Sequence, residues 1–471
     1  MSLVNIQNSE TIPVNGQSEY SSSGGSYNLE FQLSGSENMM CDLNSLRICA
    51  QVDYLNAEGK HVNNNNIYMS GVRDGAGAPG PPALVHSDAV FNYGEQPFVD
   101  VDNRTGCNML INSILFEDSS NNTLENVTQF GHLCNKVNSM TMSQDDMMTW
   151  GGSTYGVKSG GKTLISQQAI NSTQDICLKL YSGLSQSAPL PYSAIRGRLN
   201  ISVQLQNSSA VFHGADNLKG GRAGSDRAVG CFYRLKNVKM IYRNLILDEP
   251  APILKSGYSY RHFSSLQSTI SASNNTNIYQ PNSSNAISII TSFIPSQNLN
   301  NYQKNSVQSG KLKNRTPPTG TIYPNTLPQS VNINSVDLLK NNINFPLSFP
   351  INESVYTKNN NNRNNYETQR SYYYLSTLKP FNSINHSLIS PSTEDYGSYY
   401  GPTDVDTFPV SAGVGIRYSM GNNDGTSYTG GASFQQRIDS GLNSTLNNEM
   451  MSNILSTKRI VISQNGPVIL N

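Results

Sequence analysis

Charge is what this sequence has least of. Asp, Glu, Lys and Arg make up 14% of the 471 residues, and 32 basic side chains balance 32 acidic ones, against about 25% charged residues in an ordinary globular chain. A protein that grips nucleic acid directly needs a basic patch or arm to neutralise phosphate. Residues 1–26 (MSLVNIQNSETIPVNGQSEYSSSGGS) contain no Lys or Arg, so direct sequence-specific nucleic-acid binding is not expected. No apolar run of 18 residues is present to span a bilayer, and no signal peptide opens the chain, which fits synthesis in a reducing cytoplasm. The six cysteines (Cys41, Cys49, Cys107, Cys134, Cys177, Cys231) include no CxxC pair. A zinc knuckle is therefore not expected, and several of them read as buried free thiols on strands.

The deficit in charge is filled by Asn, Ser, Thr and Gln, while hydrophobic residues reach 36% and glycine adds 37 positions. That is enough to build cores, and the length predicts two or three domains. A surface of uncharged polar groups suits dense packing against copies of itself, because neighbouring subunits bring little repulsion. The N-x-S/T triplets, as at Asn126, Asn171 and Asn314, are expected by chance in so Asn- and Ser-rich a chain.

Short alternating stretches recur along the chain, as at residues 28–33, 46–55, 199–205 and 415–418. Leu46, Ile48, Ala50, Val52 and Tyr54 place five apolar side chains on one face of a strand. Each half closes on a long apolar stretch, residues 232–248 (FYRLKNVKMIYRNLILD) and 458–470 (KRIVISQNGPVIL). Further strands are predicted at 176–181, 287–294 and 332–339. One short helix is predicted over 123–137 (TLENVTQFGHLCNKV), from the spacing of Leu124, Val127, Phe130, Leu133, Cys134 and Val137. Residues 1–26 read as a flexible or exchanged arm. Residues 63–82, 150–172 and 359–365 read as loops, and a break falls at 250–257, where the chain leaves a strand through Asp-Glu-Pro-Ala-Pro. Chains built this way are usually all-β sandwiches or barrels.

Two motifs invite a nucleotide-binding reading. Residues 156–163 (GVKSGGKT) match GxxxxGK[ST], which would place Lys162 on phosphates, and residues 245–250 (LILDEP) would place Asp248 on magnesium. A phosphate loop has to leave an apolar strand and open a helix. Here turn-like residues precede it, polar and β-branched ones follow, and the motif reads as inert. The histidines (His61, His86, His132, His213, His262, His386) show no metal-ligand or nucleophile spacing. Asp145 and Asp146 read as solvated. Asp404, Asp406 and Asp424 are oxygen-rich candidates for calcium. The tyrosines at 372–374, 399 and 400 suit either sugar stacking or strand and subunit packing. No catalytic, cofactor or metal site is assigned, no cofactor is expected, and the chain does not read as an enzyme.

Taken in order, several segments resemble the double jelly-roll major capsid proteins of virophages, polinton-like viruses and related double-stranded DNA viruses. They are residues 42–52 (DLNSLRICAQV), the stretch 109–137, residues 176–205 with the Ile-Arg-Gly-x-Leu-x-Ile strand, and the Tyr-containing strand and acidic turn of 233–249. In the second half they are residues 293–302 (FIPSQNLNNY), the Asp424-Gly425 turn and residues 459–470. The resemblance covers most of the chain and implies an all-β fold of two consecutive eight-stranded antiparallel jelly rolls, with short helices in loops. The expected divisions are an arm at 1–26, a first roll at 27–248, a linker at 249–257 and a second roll at 258–471. The resemblance also implies a pseudo-hexameric homotrimer that tiles an icosahedral virion shell. Its partners would be itself, neighbouring capsomers, penton proteins and minor capsid or cement proteins, with room for an internal membrane. Such a protein is made in the host cytoplasm or nucleus and ends in the virion. The alternative from a different class is a β-sandwich surface lectin or adhesin that binds glycans.

Overall fold

The computed structural model describes residues 2–22, 28–55, 58–59, 61, 106–134, 157–158, 162–163, 173–211, 232–250, 257–270, 276–279, 286–295, 333–340, 343–344, 351–352, 416–419, 434–440, 448–463 and 466–470. In the first half the principal strands are β1 (Leu3–Thr11), β2 (Asn28–Ser34), β3 (Met39–Leu55), β4 (Ile111–Asp118), β5 (Thr123–Val127), β6 (Gln174–Lys179), β7 (Arg198–Leu205) and β8 (Phe232–Leu247). In the second they are β9 (Tyr258–Ile270), β10 (Thr276–Tyr279), β11 (Ala286–Pro295), β12 (Ile333–Lys340), β13 (Ile343–Asn344), β14 (Ile416–Ser419), β15 (Phe434–Ser440) and β16 (Asn448–Ser463). A closing strand, β17 (Gly466–Leu470), folds back on β16.

The sheet order carries the architecture. The first half forms two sheets, β1-β8-β3-β6 and β2-β7-β4-β5. The second half repeats it as β9-β16-β11-β14 and β10-β15-β12-β13, so each strand occupies the place of the one eight positions earlier. Every strand pairing among the described residues is antiparallel. Two four-stranded sheets with this interleaved order make a jelly roll, which shields most strand edges by wrapping one sheet against the other. The chain is therefore a double jelly roll.

Alternation decides which faces meet. In β2 the buried residues are Leu29, Phe31 and Leu33, with exposed neighbours between them. In β7 they are Leu199, Ile201, Val203 and Leu205, and in β3 the five predicted residues, from Leu46 to Tyr54, all lie inside. Side chains from both sheets of the first half join one buried cluster.

Three expectations change. Residues 3–11, read as part of an arm, pair along β8 from Leu3↔Leu247 to Thr11↔Met240, and residues 19–21 pair with β8 further along. Side chains of β1 are mostly exposed on both faces, so backbone pairing and not burial makes this a strand. Its start is fixed by Ser2, whose backbone N–H and hydroxyl both donate to the Asp248 carboxylate at 2.9 and 2.6 Å. The helix predicted over 123–137 begins instead as β5, paired with β4, and among its described residues only 130–134 are helical. Gln129, with φ of 52°, separates the two and stops a helix from running through. Finally, 458–470 is a hairpin and not one strand: Arg459 pairs with Leu470 and Ser463 with Gly466 across two intervening residues.

Gly257 opens the second half in a left-handed conformation (φ 78°), and a β-carbon there would collide with the carbonyl oxygen of Ile460. Glycine is required where the chain comes in beside β16.

Candidate functional site: the joint between the rolls

The residues singled out from sequence as chemistry-bearing do not converge. Val157 pairs with Thr163 and Lys158 with Lys162, so these four residues of the GxxxxGK[ST] segment form a short antiparallel ladder. Lys162 and Thr163 sit on a strand where a phosphate loop requires the start of a helix. Asp248 is occupied by Ser2. His132 and His262 are buried on different elements, and no group of three or more His, Cys, Asp or Glu suited to a metal occurs among the described residues. Cys41, Cys107 and Cys134 are buried free thiols, whereas Cys49 and Cys177 are half-buried on an outer sheet face. His86, His213, His386, Cys231, Asp145, Asp146, Asp404, Asp406, Asp424 and the tyrosines at 372–374, 399 and 400 lie outside the described residues.

The strongest constellation is one that sequence reasoning missed. Glu125 on β5 is 1% exposed. One carboxylate oxygen accepts the backbone N–H groups of Gly183 and Phe263, each at 2.7 Å, and the other accepts that of Leu184 at 2.9 Å. Gly183 and Leu184 belong to a short 3-10 segment of the first half, and Phe263 belongs to β9 of the second. A single side chain therefore ties both rolls through their backbones. Burial pushes the Glu125 carboxyl up to about 7, against the pull of the three amides and of Lys458. Beside it, burial and Lys458 hold the His262 imidazole down at about 4.

The surrounding contacts close the joint. Arg261 N–H donates to Ser187 Oγ at 2.8 Å, Tyr260 Oη to the Leu124 carbonyl at 3.2 Å, and Tyr258 Oη to the Ala188 carbonyl at 2.5 Å. A β-carbon on Gly183 would lie inside the backbone of His262, so the two segments meet at a distance only glycine permits. Tyr260, Phe263, Leu455 and Ile460 of the second roll enter the same apolar cluster as the first roll's core. This is a mechanical joint, with buried hydrogen bonds that set orientation and apolar area that supplies adhesion.

A second buried carboxylate lies on the first long sheet. Asp53, with its side chain 1% exposed, is held by Arg234 Nη2 and Lys236 Nζ, both at 2.8 Å, and by Thr173 Oγ1 at 2.6 Å. Burial alone would raise its pKa, but Lys236, Thr173 and Arg234 together outweigh it and hold the group well below the carboxylate range. A depressed folded-state pKa contributes stability above the ordinary Asp value, and that stability is lost as pH falls below about 5. Asp53→Asn is expected to cost roughly 2 kcal/mol at pH 7 and to flatten the acid limb of the stability profile, as read by urea unfolding between pH 3 and 7.

Comparison with known proteins agrees with this geometry. No family model and no curated protein matches the sequence. Solved structures do. A quasi-atomic model of the PBCV-1 virus capsid matches with a TM-score of 0.53 at 10% identity, covering 100% of this chain and 97% of that one. The Faustovirus major capsid protein matches with a TM-score of 0.53 at 10% identity, over 98% and 90%. The Sputnik virophage structure matches with a TM-score of 0.51 at 11% identity, over 100% and 89%. The shared property is the fold, along nearly the whole length of each chain. It is that of the double jelly-roll major capsid proteins.

Proposed function

We propose that this chain is a major capsid protein that assembles as a pseudo-hexameric homotrimer and tiles an icosahedral virion shell. The observation that carries the reading is the duplicated strand order, two rolls of one design in one chain, matched end to end by viral capsid proteins. Two similar rolls per subunit give three subunits six near-equivalent sides, which is how a cyclic trimer fills a hexagonal position and closes on itself. The joint at Glu125 supports this, since a shell tile has to hold its two rolls in one orientation. The division proposed is a first roll through Asp248 and a second from Tyr258, linked by residues 249–257.

Other observations point to self-association. Five large apolar side chains stand exposed near the start of the chain: Leu3, Val4, Ile6, Ile12 and Val14, between 49% and 68% accessible. They lie on or just after β1, an edge strand, where an isolated molecule has no reason to keep them. Low net charge removes the repulsion that would oppose close packing. In this reading the further partners are neighbouring capsomers, penton proteins and minor or cement proteins, and the protein ends in the virion. Its work is structural and not catalytic.

The test is size. Sedimentation of the purified protein at micromolar concentration is expected to show a species of three 51.5 kDa chains, and electron micrographs to show pseudo-hexagonal particles. A folded protein that sediments only as a monomer under these conditions overturns the reading.

A further inference from the structure

Two cysteines face each other on the outer side of the first long sheet. Cys49 of β3 and Cys177 of β6 are direct cross-strand partners in the register. Their sulfurs are 2.9 Å apart, with the Cys49 S–H donating to Cys177 Sγ. Neither is buried, unlike Cys41, Cys107 and Cys134. Directly opposed residues of an antiparallel pair have Cα atoms about 4.5–5.5 Å apart, within the roughly 4.4–6.8 Å a disulfide accepts. The bond needs the sulfurs to close by about 1 Å, a side-chain adjustment that asks nothing of the backbone.

The chemistry around the pair favours reaction. The Cys49 S–H and the Arg47 guanidinium lower the Cys177 thiol, against the effect of burial, so Cys177 is the attacking thiolate. The Cys177 sulfur and burial push the Cys49 thiol up, against the charges of Lys239, its register partner on the β8 side, and Arg47, so Cys49 reacts second, once Cys177 has been capped. Lys239 is paired with Glu10 at 3.0 Å, whereas the Arg47 guanidinium donates to the Asn44 and Leu46 carbonyls and brings the positive charge that suits an anionic disulfide of low molecular weight.

We propose that Cys49 and Cys177 form a dithiol site that a small anionic disulfide, of the oxidised glutathione type, converts to a cross-strand disulfide. The Cys177 thiolate attacks one sulfur of the small disulfide, breaks its S–S bond and releases one thiolate, leaving a mixed disulfide on Cys177. Cys49 then gives its proton to solvent and attacks Cys177 Sγ, and the second small thiolate leaves. One S–S bond is lost and one gained. The two cysteines are oxidised and the small disulfide is reduced to two thiols. The product ties β3 to β6 across 128 residues of sequence. A chain folded in a reducing compartment would gain this clamp on meeting an oxidising one.

The test uses the full-length protein incubated with oxidised glutathione at pH 7.5, followed by intact mass and peptide mapping. The expected result is a loss of about 2 Da, from two hydrogens, with a single linked peptide pair containing Cys49 and Cys177. The melting temperature should rise by on the order of 5 °C. Cystamine, a cationic disulfide, should react several-fold more slowly. In Cys49→Ser the reaction should stop at a glutathione adduct on Cys177. Recovery of both thiols unmodified, a stable adduct without ring closure in the wild type, or a linked pair at other cysteines overturns the proposal. The mapping is read on the wild-type protein, so the result stands whether or not the variant folds.

Discussion

Glu125→Ala is expected to be among the most destabilising single substitutions in this protein, costing about 3–6 kcal/mol and loosening the two rolls from each other. The reason is the asymmetry between a hydrogen bond formed and one left unmade. Three buried backbone N–H groups, of Gly183, Leu184 and Phe263, lose their acceptor at once, and each orphaned donor costs about 1–3 kcal/mol. Glu125→Gln keeps one acceptor oxygen but turns an amide NH2 toward a backbone donor, and should cost about 2 kcal/mol.

The pH dependence distinguishes this account from simple loss of packing. The carboxyl is raised from 4.5 to about 7 in the fold, so the folded state binds the extra proton. Its stabilisation is present below 4.5 and declines as pH rises through 7, by about 3 kcal/mol in all. His262 works the other way. Its imidazole is lowered from 6.5 to about 4, so its contribution is present above 6.5 and lost as pH falls through 4. Between about pH 4.5 and 6.5 the two slopes oppose each other, and the joint of the wild-type protein is close to pH-neutral. Glu125→Gln should unmask a stability that rises with pH across that window, and His262→Gln one that falls. Urea unfolding at half-unit pH steps reads both, and parallel profiles for wild type and the two variants would contradict the assignment.

How legible the molecule was depends on what holds each part. Strands held by burial announce themselves: Leu29, Phe31 and Leu33, or Leu46 through Tyr54, alternate because one face of each must be apolar. The strand β1 is held by backbone pairing to β8 with little burial, so LVNIQNSET shows no alternation and reads as an arm. At 123–137 the apolar spacing is helical, with Leu124 and Val127 three apart, and the pairing with β4 and the positive φ of Gln129 override it in favour of a strand followed by a short helical turn. Glu125 carries no local signal at all. Its partners lie 58, 59 and 138 residues away, and only the completed fold brings them to it. The Cys49–Cys177 pair was half visible: both residues fall on the outward phase of their strands, between buried Ile48 and Ala50 and between buried Ile176 and Leu178. The register that sets them opposite each other was not.

Val4→Glu combined with Ile6→Glu is expected to abolish the trimer while leaving the subunit folded. In the single chain these side chains are 63% and 49% exposed, on an edge strand whose hold on the protein is its backbone pairing with β8. Exposed substitutions of that kind change stability by about 0.5 kcal/mol or less each, so circular dichroism and the urea midpoint should stay near wild type. In an assembly that covers β1 the same positions are desolvated. Two carboxylates buried there without partners each cost several kcal/mol. A shift of about 4 kcal/mol is roughly a thousandfold in an association constant. Sedimentation at micromolar concentration should therefore show monomers for the double variant and trimers for wild type. Lysine in place of glutamate should act alike, because the penalty comes from burying charge and not from its sign. A double variant that remains trimeric would show that β1 faces solvent in the assembled tile, and the contacts would then have to lie on other surfaces of the two rolls.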